Sequence, residues 1–294
     1  MKQLFSLMLF LSGIGSLCAQ MPETDIYLVD MHVNSGVYTF DNPVNITNRK
    51  GYDNQPYFSA QGNMIYYVAD YSGKQTDIML YGLQDGKSIQ LTNTPESEFS
   101  PTVMRGTDYI SCVRVEKDSS QHVYRYTKTG NYPVDLTPKN DSVGYHAWVD
   151  DYHIALFVLD SIRTLQVVEV RSQTYDTIAL NPGRSLQTLS FVPEILYTQM
   201  NADSIWEIKK YNYKSKEKLD WAVLPKGVED FSITRDGKLM CGKEGKLLMI
   251  NPYQKESQWR EVADFSKAVG SFYRIAVSPR NDKIAIVGFK GKKP

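Results

Sequence analysis

Four histidines, His32, His122, His146 and His153, are the side chains best suited to hold a metal or move a proton near neutral pH. A zinc or manganese centre needs three or four such donors, or carboxylates with them, at one point. Only His146 falls on a run that repeats as the innermost strand of a unit, so no metal site is assigned. Asp150-Asp151 has the form of a carboxylate pair for acid–base work. It sits in a turn between two apolar runs, where an Asp caps backbone N–H groups, and the turn role is preferred. Asp236-Gly237 reads the same way. No Gly-x-Ser-x-Gly elbow marks a nucleophile. A Ser–His–Asp triad assembled from distant loops stays open, but no catalytic residue is assigned.

The elements that would position any such residue come in repeats. From Asp53 to Thr92 there are four short apolar runs, Pro56–Ser59, Met64–Ala69, Ile78–Leu83 and Ser88–Leu91. Turn residues Gln61-Gly62-Asn63, Tyr71-Ser72-Gly73 and Gln84-Asp85-Gly86 separate them, which predicts four antiparallel strands. Anchored on Phe58, equivalent positions follow at Val103, Trp148, Phe191, Ile233 and Val277. A period of about 40–45 residues is that of a β-propeller blade. The sixth unit stops after Ile284–Gly288, two strands short. Asp25–Asp30 and Val44–Thr47 near the N-terminus supply a third and a fourth strand. The expected fold is all-β: a six-bladed propeller with four antiparallel strands per blade and a last blade closed by both termini. Sharing a blade leaves no loose sheet edge at the seam. The other reading is five complete blades plus fragments.

This frame places the polar residues. The row three before the anchors is Gln55, Ser100, Tyr145, Thr188, Asp230 and Arg274, all polar. Residues alternate in facing along a strand, and innermost strands line a propeller's channel. The row is therefore the candidate ligand site at the channel mouth, with Tyr52, Asp53, Glu98 and Glu229 in the loops beside it. The plainer reading is a channel start that is polar for solvation alone. His122 and His153 fall on outer strands, and His32 is expected in a loop of the shared blade. Strand tyrosines such as Tyr66, Tyr67, Tyr126, Tyr197 and Tyr211 are expected between blades.

Composition bounds the function. Lys plus Arg total 33 and Asp plus Glu 33, which argues against the basic surface of a nucleic-acid binder. Residues 1–19 carry Lys2, an apolar stretch and Ala19 before Gln20, the pattern of a signal peptide. Residues 20–294 then form one domain, without a membrane span. Cys18 could suggest a lipid anchor, but Leu17 and Gly15 fit a lipobox poorly, so ordinary cleavage after Ala19 is preferred. Cys112 and Cys241 fall in opposite blades, too far apart to bridge, and read as small buried strand residues.

Ile46-Thr47-Asn48, then Pro56-Tyr57-Phe58-Ser59-Ala60-Gln61-Gly62-Asn63-Met64-Ile65-Tyr66-Tyr67 and Thr76-Asp77-Ile78, resembles the repeat of TolB-like propellers, which are related in pattern to WD40-like repeats. Asp236-Gly237 and Val277-Ser278-Pro279-Arg280-Asn281-Asp282 echo its Ser-Pro-Asp-Gly turn. The resemblance spans nearly all of residues 20–294 and is most complete in the first blade. TolB itself has an α/β domain before its propeller, for which these residues leave no room, so a Tol–Pal role is not implied. The resemblance implies a periplasmic or secreted propeller that binds a protein or peptide of the cell envelope through its funnel, without a cofactor. A lyase or hydrolase acting on a glycan is the alternative, because some propeller lyases hold a metal in the channel. A structural subunit of an envelope assembly is the third reading.

Overall fold

The computed structural model describes residues 21–71, 73, 75–104, 106–189 and 192–290. The proposed signal peptide, Cys18, Ser72, Phe191 and the end of the basic tail lie outside them. Six separate four-stranded antiparallel sheets follow one another along the chain. Blade one is Asp53–Phe58, Met64–Ala69, Asp77–Gly82 and Ser88–Gln90. The inner strands of blades two to six are Ser97–Val103, Val143–Trp148, Pro182–Thr188, Ser232–Ile233 and Phe272–Val277. Blade six takes its two inner strands from the C-terminal end and its two outer strands from Thr24–Asn34 and Val37–Asn45.

The ring closes because every blade has apolar residues on both faces. Tyr66, Val68 and Ile78 of blade one pack on Val103, Ile110 and Cys112 of blade two. The same kind of core recurs between each later pair. At the seam, Ile26, Ala285 and Val287 of blade six pack on Phe58, Ile65 and Tyr67 of blade one. The strand tyrosines fill these cores. Cys112 and Cys241 are free and buried in different cores.

The repeat signature has a local cause. The Thr that ends the fourth strand accepts, through Oγ1, a backbone N–H that starts the third: Ile26 on Thr47 (3.0 Å), Ile78 on Thr92 (2.8 Å) and Val123 on Thr137 (2.9 Å). That hydroxyl satisfies a strand-start donor otherwise left buried. The turns between first and second strands are tied by Ser or Thr hydroxyls. Ser59 Oγ accepts from Asn63 N and Met64 N, and Ser278 Oγ from Asp282 N and Lys283 N. Asp150 caps its turn as expected, accepting from Tyr152 N and His153 N at 2.9 Å.

Two placements differ from the sequence pattern. The N-terminal pair is longer than Asp25–Asp30 and Val44–Thr47: it continues into a hairpin that turns at Ser35-Gly36. Both turn residues have positive φ, 48° and 78°, the geometry of a tight two-residue turn. His32 therefore lies on a strand and not in a loop. The hairpin tip lies on blade five, where Tyr38 donates to Asp236 and Lys238 Nζ donates to Gly36 O. The second difference is in blade four. Thr188 pairs with Ile195, as Phe58 pairs with Ile65 and Val103 with Ile110. Thr188 thus holds the anchor's place that the spacing gave to Phe191.

Candidate functional site: the channel mouth

Antiparallel order gives the ring two unlike ends. At one end each inner strand begins, entered from the fourth strand of the blade before; this is the mouth. At the other, inner strands turn into second strands.

Near the mouth most inner strands carry a β-bulge. Register shifts lie between Asn54 and Tyr57, Phe99 and Thr102, Val143 and Tyr145, and Phe272 and Arg274. A bulge sets two residues against one and re-aims their side chains. Gln55 and Ser100 occupy two of these bulges with φ of 54° each, a left-handed conformation disfavoured for residues with a Cβ. The conformation is held by the next blade: Gln55 Oε1 accepts the backbone N–H of Ser100 at 2.6 Å. The equivalent bond in blade four is Phe231 N–H to Ser185 Oγ, 3.2 Å. Ser100 Oγ is buried and has no partner among the described residues.

Of the six expected mouth residues, Gln55, Tyr145 and Arg274 lie in the entering halves of their inner strands, Ser100 at the middle of its own, and Asp230 two residues before Ser232–Ile233. Thr188 does not lie there, because its pairing with Ile195 puts it at the far end of its strand; Ser185 stands in the row instead. Tyr145, Asp230 and Arg274 converge. Arg274 of blade six reaches across the axis to Tyr145 of blade three, Nη2 to OH 3.4 Å, and donates Nη1 to Asn54 Oδ1 of blade one at 2.9 Å. Blades three and six are opposite each other, so this side chain spans the channel as a floor. Burial works against its charge, but the carboxylate of Asp230 favours it, and the guanidinium stays protonated.

The spacing did not single out three further members. Arg184 of blade four holds Asp230 through both ends of its fork, Nη2–Oδ2 2.5 Å and Nε–Oδ1 3.2 Å. Glu229 Oε1 accepts Arg184 N–H at 2.8 Å. The ring of Tyr273 lies near both guanidinium carbons, 5.7 Å from Arg184 and 5.5 Å from Arg274, and its OH accepts from Asn54 Nδ2 at 2.7 Å. Asn54 and Tyr273 stand one place before the expected row, and Arg184 one place before Ser185, which holds that row in blade four. A bulge turns neighbours toward one side, so strict alternation missed them.

Two buried carboxylates support the mouth from behind. Glu98, fully buried, accepts from Thr94 Oγ1 (2.5 Å), Tyr126 OH (3.1 Å) and Thr92 Oγ1 (3.3 Å). Burial outweighs these bonds and pushes its carboxyl up to about 7. Asp53 is bound by Arg49 at 2.6 Å, and burial still raises it to about 6.

The histidines do not meet. His146 is buried between blades two and three, Nε2 2.7 Å from Ser111 Oγ, and burial alone lowers it to about 3. His153 pairs with Asp150 at 2.8 Å, His122 lies 3.5 Å from Asp135, and His32 is exposed beside Asp41. Among the described residues no three His, Cys, Asp or Glu side chains are grouped as a metal would require. No helix there is long and apolar enough to cross a membrane.

No protein-family model matches the chain, and no curated protein matches it by sequence. Solved structures do match in fold. A putative TolB from Agrobacterium tumefaciens superposes with a TM-score of 0.67 at 10% identity, covering 92% of this chain and 99% of that one. TolB from Acinetobacter baumannii gives 0.60 at 10%, covering 90% of this chain but only 64% of its own length. An oligogalacturonate lyase in complex with manganese gives 0.58 at 12%, covering 86% and 83%. At such identities the likeness speaks for fold alone: the chain is a six-bladed β-propeller whose solved structural neighbours include TolB-like propellers.

Proposed function

We propose that the chain is a non-enzymatic binding propeller that engages a protein or peptide partner through its channel mouth. The observation that carries this reading is the convergence of side chains from opposite blades on Arg274, which sets a guanidinium among Asn54, Tyr145 and Tyr273. Such a floor with a few fixed donors suits the end or side chain of an inserted segment. The TolB-like fold is consistent with a protein partner. Residues 1–19, read as a signal peptide, would put the propeller in the periplasm or outside the cell.

A glycan lyase or hydrolase is the second reading, favoured by the lyase among the structural neighbours. It needs acid–base or metal donors aimed at the axis, and the four histidines are held elsewhere. The test is recovery of partners from an envelope extract by wild type, Asp230→Ala and Arg274→Ala. The binding reading expects both variants to lose the partners that wild type retains. Equal recovery by all three would count against the mouth.

A further inference from the structure

We propose that the mouth reads a single carboxylate on the inserted peptide, with Arg274 as the group that receives it. The inference rests on the binding reading above and concerns what is bound there.

The charges at the mouth are unequally engaged. Arg184 is committed: Asp230 takes both ends of its fork, and Glu229 Oε2 lies 3.8 Å from its Nε. Arg274 has no carboxylate within 4.0 Å among the described residues; its hydrogen bonds go to the neutral Asn54 and Tyr145. A guanidinium has five N–H donors, so donors remain after those two bonds. The longer of the two, to Tyr145, is the weaker one to exchange for a ligand oxygen. Tyr145 and Tyr273 flank the cation, ring centroids 5.6 and 5.5 Å from its carbon. A planar two-oxygen anion matches the fork of an arginine.

The same surroundings select against a more highly charged anion. Glu229 and Asp230 stand beside the floor, and a phosphate dianion would meet both. Like charges at that range disfavour the wrong ligand. Arg184 and Arg274 balance Asp230 and Glu229, so the floor is neutral overall, and Arg274 is the one of its two cations left without a carboxylate partner for a single incoming carboxylate. A free peptide C-terminus and an Asp or Glu side chain share this chemistry.

Random hexapeptides tethered by their N-termini would be offered in three forms: free C-terminus without acidic residues, C-terminal amide with one Asp or Glu, and C-terminal amide with neither. Wild type is expected to bind at least one carboxylate form about ten-fold or more above the neutral amide. Arg274→Gln should remove that preference. Arg274→Lys, which keeps the charge but not the fork, should keep only part of it, with unfolding temperature checked for both. Preference for the free C-terminus or for the acidic side chain identifies the source. Equal binding to all three forms would overturn the carboxylate claim while leaving peptide binding in place. Binding to no form, or to an oligouronide alone, would overturn the peptide reading itself.

Discussion

At the turn end of the ring, Ser59, Thr234 and Ser278 each use a hydroxyl to tie their own tight turn, and the bonds close within five residues. At the mouth the polar bonds run between blades: Gln55 to Ser100, Arg184 to Asp230, Arg274 to Asn54 and Tyr145. The turn end has bonds between blades too, Arg235 N–H to Asn281 Oδ1 at 2.9 Å and Arg280 Nη2 to Gly62 O at 3.2 Å, but its tight turns are each tied by their own hydroxyl. The mouth is held largely by bonds to neighbouring blades, has left-handed φ at Gln55 and Ser100 as the turn end has at Asn281, and carries in Arg274 a guanidinium with no carboxylate within 4.0 Å among the described residues. A largely buried charge that is incompletely engaged is a feature of binding sites. Altering the turn end should therefore cost stability without binding, and altering the mouth floor should do the reverse.

The largest expected effect separates the two kinds of buried acid and base near the mouth. Glu98, raised to about 7, contributes stability that is full below about 4.5 and lost as pH rises through 7. Asp53, raised to about 6, has the same sign. His146, lowered to about 3, has the opposite sign: its contribution is present above about 6.5 and is lost on acidification toward 3. Chemical denaturation of Glu98→Gln at pH 5 and pH 8 should show the variant gaining on wild type at the higher pH, by roughly 2–3 kcal/mol. An unchanged difference would mean Glu98 is ionised at both.

Next is Gln55→Ala, which leaves the buried N–H of Ser100 without its acceptor. A loss of about 2 kcal/mol in denaturant melts is expected. Ser278→Ala, at the turn end, removes the hydroxyl that accepts two backbone N–H groups and should cost about 1 kcal/mol; its peptide binding should equal that of wild type. The smallest effect has the other sign. Ser100→Gly relieves a left-handed φ and removes a buried hydroxyl with no partner. A gain of up to about 1 kcal/mol is expected, and a loss would show that Ser100 Oγ matters to the fold.

The same contrast decides how much was legible in the sequence. The repeat, the shared blade and the local turns were readable because their bonds close over a few residues and recur each period. Asp150, Asp236 and Ser278 stand where their turn chemistry placed them. The hairpin at Ser35-Gly36 carried a readable turn signal between the alternating strands of Thr24–Asn34 and Val37–Asn45. The mouth was legible in part. Counting back from the anchors placed Tyr145, Asp230 and Arg274 at the entering ends of their inner strands, where they lie. Blade four failed because a large apolar residue was chosen as anchor, whereas the fold keeps the interval to the second strand: seven residues from Thr188 to Ile195, as from Phe58 to Ile65. Asn54, Arg184 and Tyr273 were hidden because bulges break alternation, and nothing in the local sequence announces a bulge at Gln55 or Ser100.

A photo-crosslinking amino acid placed at Tyr145, on the floor, and separately at exposed Tyr253, beside the Gly237 turn, tests the claim that the ring binds at one end. Both proteins would be irradiated in envelope extract and the adducts identified by mass spectrometry. A discrete adduct from Tyr145, suppressed by Arg274→Gln and lacking from Tyr253, is the predicted result. The same adducts from both positions, or from Tyr253 alone, would contradict the account.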